Sequence, residues 1–213
     1  MLVQPDNFQI RLGVLAADAA QGSTQVTLQS GHGLAVGDIL YVSQANDDAW
    51  LAETGNTGWV PPDNAPRDGE DYYLRETRSR IVAINGDTVT LAEPLPYSFA
   101  ANVATAAQST FLSNVTLQGF TVQGVWGKPD PFLFEVTLPA WEGMSTSEID
   151  GVTNSTLQNI SVLDAASHAF RLQRLYEVTG DQLTVDGAHN KDGGNGYSFF
   201  LYESFANTLT NLT

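Results

Sequence analysis

The chain of 213 residues has no cysteine, so neither a disulfide nor a thiolate metal cage holds it together, and stability rests on packing and backbone hydrogen bonds. Cations are scarce as well: 9 Lys and Arg against 24 Asp and Glu leave a formal net charge of −15. Such a field repels phosphate backbones and anionic lipid heads, which argues against nucleic acid and membrane surfaces as partners. It also disfavours a long polyanionic substrate unless Arg, Lys or a divalent cation is concentrated locally. No apolar run is long enough to span a bilayer, so no membrane insertion is expected. The opening Met1–Phe8 lacks the basic and apolar stretches of a secretion signal, which leaves a mature piece, another exit route or an intracellular protein open. Helix signals are almost absent. With 42% hydrophobic and 15% charged residues the chain is neither disordered nor a coiled coil.

What is present is β pattern. Gln25–Gln29, Ile39–Ser43, Ser79–Asn85 and Thr88–Ala92 alternate with period two and are rich in Val, Ile, Leu, Thr and Tyr. Asn85-Gly86-Asp87 marks a hairpin, and Gly33-Leu-Ala-Val-Gly37-Asp38 another reversal. The stretch 46–69, rich in Asp, Asn, Gly and Pro with Trp50 and Trp59 in it, reads as a long surface excursion. These features give a lead-in over 1–16 and a small β module over 17–98.

From Ser109 a short phrase recurs without being copied: Thr116–Thr121, Thr156–Ser161, Thr179–Thr184 and Thr208–Thr213. Each copy starts a polar/apolar alternation, and the spacings are 40, 23 and 29 residues. The longest holds two short turns or one turn with an insertion, and Trp126–Glu148 is one irregular coil or that insertion. Self-similarity of this kind marks a solenoid whose unit buries its apolar face only by stacking on its neighbours. Aligned copies set Leu117 over Leu157, Phe120 over Ile160, Leu183 and Leu212, and Val122 over Val162 and Val185. The expected architecture is all-β, with parallel coils over 99–213 behind the small module. The phrase ends at Thr213 without a capping element, so the coils are expected to continue in a longer polypeptide or to be covered by another chain.

Gly22–Leu28, Gly33–Asp38 and Ile84–Leu95 resemble the N-terminal part of many right-handed parallel β-helix proteins. Asn154–Val162 and Gly194–Ser204 resemble coils of the same pectate-lyase-like superfamily, which includes phage tailspikes. The resemblance covers most of the chain and implies the fold. For activity it implies only a range, because this architecture hosts lyases, glycoside hydrolases, epimerases, tailspikes and adhesins.

Strict alternation with His168, Phe170 and Leu172 inward leaves Arg171 and Gln173 outside. One coil later Tyr197, Phe199 and Leu201 turn inward, leaving Phe200 and Tyr202 outside, beside Arg171 and Gln173. Exposed aromatics next to a guanidinium suit a sugar ring, which presents a flat apolar face and a ring of hydroxyls. The plainer alternative is that the loop 186–195 covers these rings. Asp164, Asp181 and Asp186 gather at a neighbouring corner as an acid/base pair, a Ca2+ site for a uronate, or a solvated acidic edge. No other cofactor or metal is called for. On the loop Asp186–Gly196, His189, Lys191 and Asp186 are the candidate proton-handling groups, against a merely polar corner. Lyases of the resembled fold use Arg or Lys as base, which points to Lys191 or Arg171, although no catalytic motif matches residue by residue. His168 reads as a core histidine. Gly31-His32-Gly33 resembles a polygalacturonase tripeptide but reads as a turn, since the paired aspartates of that family are missing. Four Asn-x-Ser/Thr triplets, at Asn114, Asn154, Asn159 and Asn211, arise from the repeat itself.

The expected function is that of an extracellular or surface protein, on a cell or virion, that binds a polysaccharide and as an enzyme would be a lyase or glycoside hydrolase. The alternative is a structural or adhesive solenoid, a homo-oligomer or part of a longer assembly.

Overall fold

The computed structural model describes residues 1–57 and 75–213. The chain divides into two compact units, Gln9–Ser109 and Met1–Phe8 with Thr110–Thr213. In chain order the first elements are β1 (Leu2–Val3), β2 (Gln9–Val14), β3 (Gln25–Thr27), β4 (Ile39–Gln44), helix α1 (Asp48–Glu53), β5 (Arg75–Asn85), β6 (Thr88–Leu91) and β7 (Thr105–Ser109). Then come β8 (Leu112–Ser113), β9 (Thr116–Gln123), β10 (Ser145–Asp150), β11 (Val152–Ala165), β12 (His168–Gln173), β13 (Tyr176–Ala188), β14 (Phe199–Tyr202) and β15 (Thr208–Leu212). Among the described residues no helix is long and apolar enough to cross a membrane.

The unit Gln9–Ser109 is an antiparallel sheet in the order β2-β7-β4-β5-β6-β3. Asn85 pairs with Thr88, so Gly86 and Asp87 alone make the hairpin loop, with Gly86 at φ 60. Leu15, Leu28, Leu40, Ile81 and Phe99 fill the core. The excursion expected over 46–69 begins with α1. Its N-cap Asp47 accepts a hydrogen bond from Trp50 N at 2.9 Å and one from Arg75, whose guanidinium lies 4.9 Å from the Trp50 ring centroid. The remainder of that excursion from residue 58 on, Trp59 included, lies outside the described residues. Gly31-His32-Gly33 is a turn, in which His32 Nδ1 accepts from Leu34 N.

In the other unit every strand pairing is parallel. One sheet runs β1-β10-β12-β14; in the other, β8 and β9 pair with β11, followed by β13 and β15. From β10 onward the chain alternates between them, so each strand lies about 4.8 Å from the strand one turn earlier. Leu117 pairs with Leu157, and Phe120, Ile160, Leu183 and Leu212 form one column. Val122, Val162 and Val185 form another. Because β9 pairs directly with β11, the 40-residue interval is one turn carrying an excursion, Gly124–Met144, and not two turns.

The recurring phrase has a conformational cause. Its fourth residue is left-handed in every copy: Gly119, Asn159, Gln182 and Asn211, at φ 69, 50, 55 and 50. That bend breaks the strand's two-residue alternation, so Leu157, Ile160 and Val162 all reach the interior and are fully buried. Asn and Gly tolerate this region best, which is why they recur there. A second left-handed column, Asn114, Asn154, Glu177 and Ala206, marks a corner, and Asn154 Nδ2 donates to Asn114 Oδ1 across it at 2.6 Å. The triplet asparagines are therefore structural pieces of the turns. Burial of Leu157, Ile160, Phe170 and Leu172 stabilises the stack by roughly 1.5–3 kcal/mol each. Where the inner column runs Leu117, Leu157, Gly180, Leu209, the glycine leaves a gap that Leu209 fills: a Cβ on Gly180 would lie 2.5 Å from Leu209 Cδ2.

Candidate functional site

On the outer face of the first sheet, Leu2, Glu148, Arg171 and Phe200 share one register column, and Asp150, Gln173 and Tyr202 the next. Arg171 thus stands beside Phe200, and Gln173 beside Tyr202. The Arg171 guanidinium is shared with Glu148 at 3.9 Å, both side chains being partly exposed. Gln173 does not project into solvent: held between Asp150 and Tyr202, it is 1% exposed.

The aromatic strip is longer than alternation suggested. Tyr197 and Leu201, expected inside, are each about half exposed (48% and 47%). Tyr197 lies parallel to His168, with ring centroids 5.2 Å apart and an interplanar angle of 7°. His168 in turn lies 5.5 Å from Phe200, and Phe200 6.4 Å from Tyr202, all within 24° of parallel. His168 is buried, but beneath Tyr197 and Phe200 and not in the aliphatic core. Its Nδ1 accepts from Tyr197 N at 3.3 Å, so the ring is the neutral tautomer protonated at Nε2. Burial, and then the nearby Arg171 charge, hold its pKa below the ordinary histidine value. The irregular backbone ahead of β14 resets the alternation that a sequence count carries through unbroken.

The proton-handling candidates lie elsewhere. Asp186 is on β13, in register with Leu163 on the second sheet, while Arg171 and Phe200 belong to the first. His189 Nε2 donates to Gly127 O at 2.9 Å, and Lys191 Nζ to Asp130 O at 2.7 Å. Both side chains hold the excursion Gly124–Met144, and Lys191 N also donates to Glu135 O at 3.1 Å. Asn190, fully buried, takes Leu138 N on its Oδ1 at 2.7 Å and donates to Leu138 O at 2.9 Å; Asn195 Oδ1 accepts Gly143 N at 2.8 Å. The loop 186–195 is therefore tied down and is no free lid. Asp164 is also buried, at φ 52, accepting from Gln123 Nε2 at 2.9 Å, whereas Asp181 is half-buried and Asp186 exposed. Among the described residues no three His, Asp or Glu side chains gather as a cation cage would need.

The excursion carries features that the strand reading passed over. Trp126 and Trp141 meet with centroids 5.1 Å apart at 58°, and with Val125 and Met144 they line a cleft of about 190 Å³. The legible signal was an aromatic-rich stretch punctuated by Gly124, Gly127, Pro129, Pro131, Pro139 and Gly143, where no strand core needs the rings.

No protein-family model matches the chain, and no curated protein sequence matches it. Among solved structures it is similar to the tailspike gp61 of Pseudomonas phage phi297, with a TM-score of 0.49 and 11% identity over 84% of this chain and 29% of that one. The tailspike gp49 of Pseudomonas phage LKA1 has a TM-score of 0.42 and 14% identity over 91% and 32%. The gp54 tailspike of Acinetobacter baumannii bacteriophage AP22, solved with an A. baumannii capsular saccharide, has 0.38 and 11% over 90% and 32%. The chain spans about a third of the length of these proteins.

Proposed function

We propose that the parallel stack is a right-handed β-helix and that it binds a polysaccharide along the outer face of β10, β12 and β14. The observation that carries the reading is the strip Tyr197, His168, Phe200 and Tyr202, stacked nearly parallel beside the Arg171–Glu148 pair. The exposed ring of Tyr197 and the half-buried rings of Phe200 and Tyr202, backed by His168, offer apolar surface for a pyranose to pack on, and the guanidinium and carboxylate offer donors and acceptors for hydroxyls. Gln173 belongs to this site as a buried floor under Tyr202. A polysaccharide ligand puts the protein's work outside the cell or on a cell or virion surface. If the bound chain is also cut, Lys191, His189 and Asp186 are the groups to move the proton, on condition that His189 and Lys191 release the carbonyls they now hold.

The test is a glycan array read with a digestion assay on acidic and neutral polysaccharides. The expected result is binding that Phe200→Ala weakens about tenfold, roughly the loss of one good aromatic contact, in a variant that circular dichroism shows to be folded. New reducing ends or unsaturated uronates would add lyase or hydrolase activity. Filament or trimer formation with no glycan bound would overturn the reading in favour of a structural solenoid.

A further inference from the structure

The excursion Gly124–Met144 buries none of its residues, although it contains Trp126, Phe132, Phe134 and Trp141. Val125 and Phe132 are 88% and 93% exposed, and Trp141 is 40% exposed. Aromatic groups present for stability would be tucked inward; rings left in solvent on one short segment mark a contact surface. Nor is the segment loose. It leaves β9 at Gly124, whose N donates to Leu163 O at 2.9 Å and where a Cβ would meet Asp164 O at 1.9 Å, so only glycine fits. At its far side Asn190, Lys191, His189 and Asn195 bind its backbone at five points. The two indoles are thereby fixed before any ligand arrives, which lowers the ordering cost of binding.

The lining selects the occupant. Trp126, Trp141, Val125 and Met144 supply ring faces and aliphatic surface, Gln123 and Thr146 supply amide and hydroxyl groups, and no charged side chain lines the cleft. In a chain of net charge −15, a carboxylate brought here would find no cation in the lining and a repulsive field around it. We propose that the Trp126–Trp141 cleft is a subsite for one uncharged pyranose ring of a glycan chain, stacked on the indoles with its hydroxyls toward Gln123 and Thr146. This rests on the saccharide-binding reading above and adds a second contact, of different chemistry, at the corner between the sheets.

The test titrates the full chain with neutral gluco-, manno- and galacto-hexasaccharides and, separately, with polygalacturonate and alginate, by calorimetry and tryptophan fluorescence. At least one neutral hexasaccharide is expected to bind and to perturb the fluorescence. Trp141→Ala is expected to weaken that binding tenfold or more, and Trp141→Phe, which keeps a ring, to retain most of it. Circular dichroism confirms that each variant is folded. The proposal is overturned if no neutral hexasaccharide binds, if uronate polymers bind and Trp141→Ala leaves them unaffected, or if Trp141→Ala merely converts a self-associated chain to monomer. Loss of polymer binding in Phe200→Ala but not in Trp141→Ala sinks this cleft and leaves the outer-face reading standing; the converse sinks that reading and leaves the cleft.

Discussion

Arg174 and Asp150 meet as a two-point ion pair buried under the Phe8 ring: Nε donates to Oδ1 at 2.8 Å, Nη2 to Oδ2, and the guanidinium lies 3.8 Å from the centroid of that ring. Both side chains are less than a tenth exposed. Removing one partner strands the other charge in a dry site, so Arg174→Ala is expected to lower stability by about 3–5 kcal/mol, whereas the double replacement Asp150→Leu with Arg174→Met should recover much of that loss. Urea unfolding of the three proteins checks it; equal losses in single and double variants would contradict the account.

His168 gives the fold a pH dependence of known sign. Its folded pKa lies below the ordinary 6.5, through burial first and Arg171 second. The unfolded chain therefore takes up a proton that the folded chain refuses. Stability from this group is complete above about pH 6.5 and falls as the pH drops below it, until the folded imidazole itself protonates. Unfolding midpoints measured between about pH 8 and pH 5 should show the fall, and His168→Phe, which keeps the ring stack, should flatten it. Asp181 acts in a separate window: hydrogen bonds from Asn211 and Thr210 hold it below 3.8, so its contribution disappears only in stronger acid.

The left-handed bend is tested at Asn159, φ 50. Asn159→Val should cost about 1–3 kcal/mol because a β-branched side chain is strained there, while Asn159→Gly should be close to neutral. Denaturant midpoints decide. A Val variant as stable as the parent would mean that the bend is not what shapes the repeat.

The excursion's tether is tested at Asn190. Asn190→Ala leaves both polar groups of Leu138 without their partner, a loss of about 1–3 kcal/mol. Its signature is local: hydrogen exchange and proteolytic cleavage should rise within residues 124–144 while the exchange of β11 and β13 stays slow.

Much of the stack was legible because it is written in pairs of like residues. Phe120, Ile160, Leu183 and Leu212 sit where the aligned phrases put them, since parallel strands in register stack equal positions. The adjacency of Arg171 and Phe200 follows from the same rule. Orientation was less legible. Tyr197 precedes β14 in irregular backbone, so counting by two from Leu201 sends it the wrong way, and it instead caps His168. Gln173 obeys the alternation yet is buried, because exposure also depends on what lies in the neighbouring coils, here Asp150 and Tyr202. The roles of Lys191 and His189 as anchors could not be read, since their partners are backbone carbonyls about sixty residues away, and a carbonyl leaves no mark in a sequence.

Since β9 joins β11 whatever intervenes, the ladder between those strands sets no length for the span that follows Gly124. A different segment seated there would leave the wall zipped, with only the anchors Asn190, Lys191, His189 and Asn195 to be refitted. Whatever the segment touches is thereby uncoupled from the scaffold that carries it.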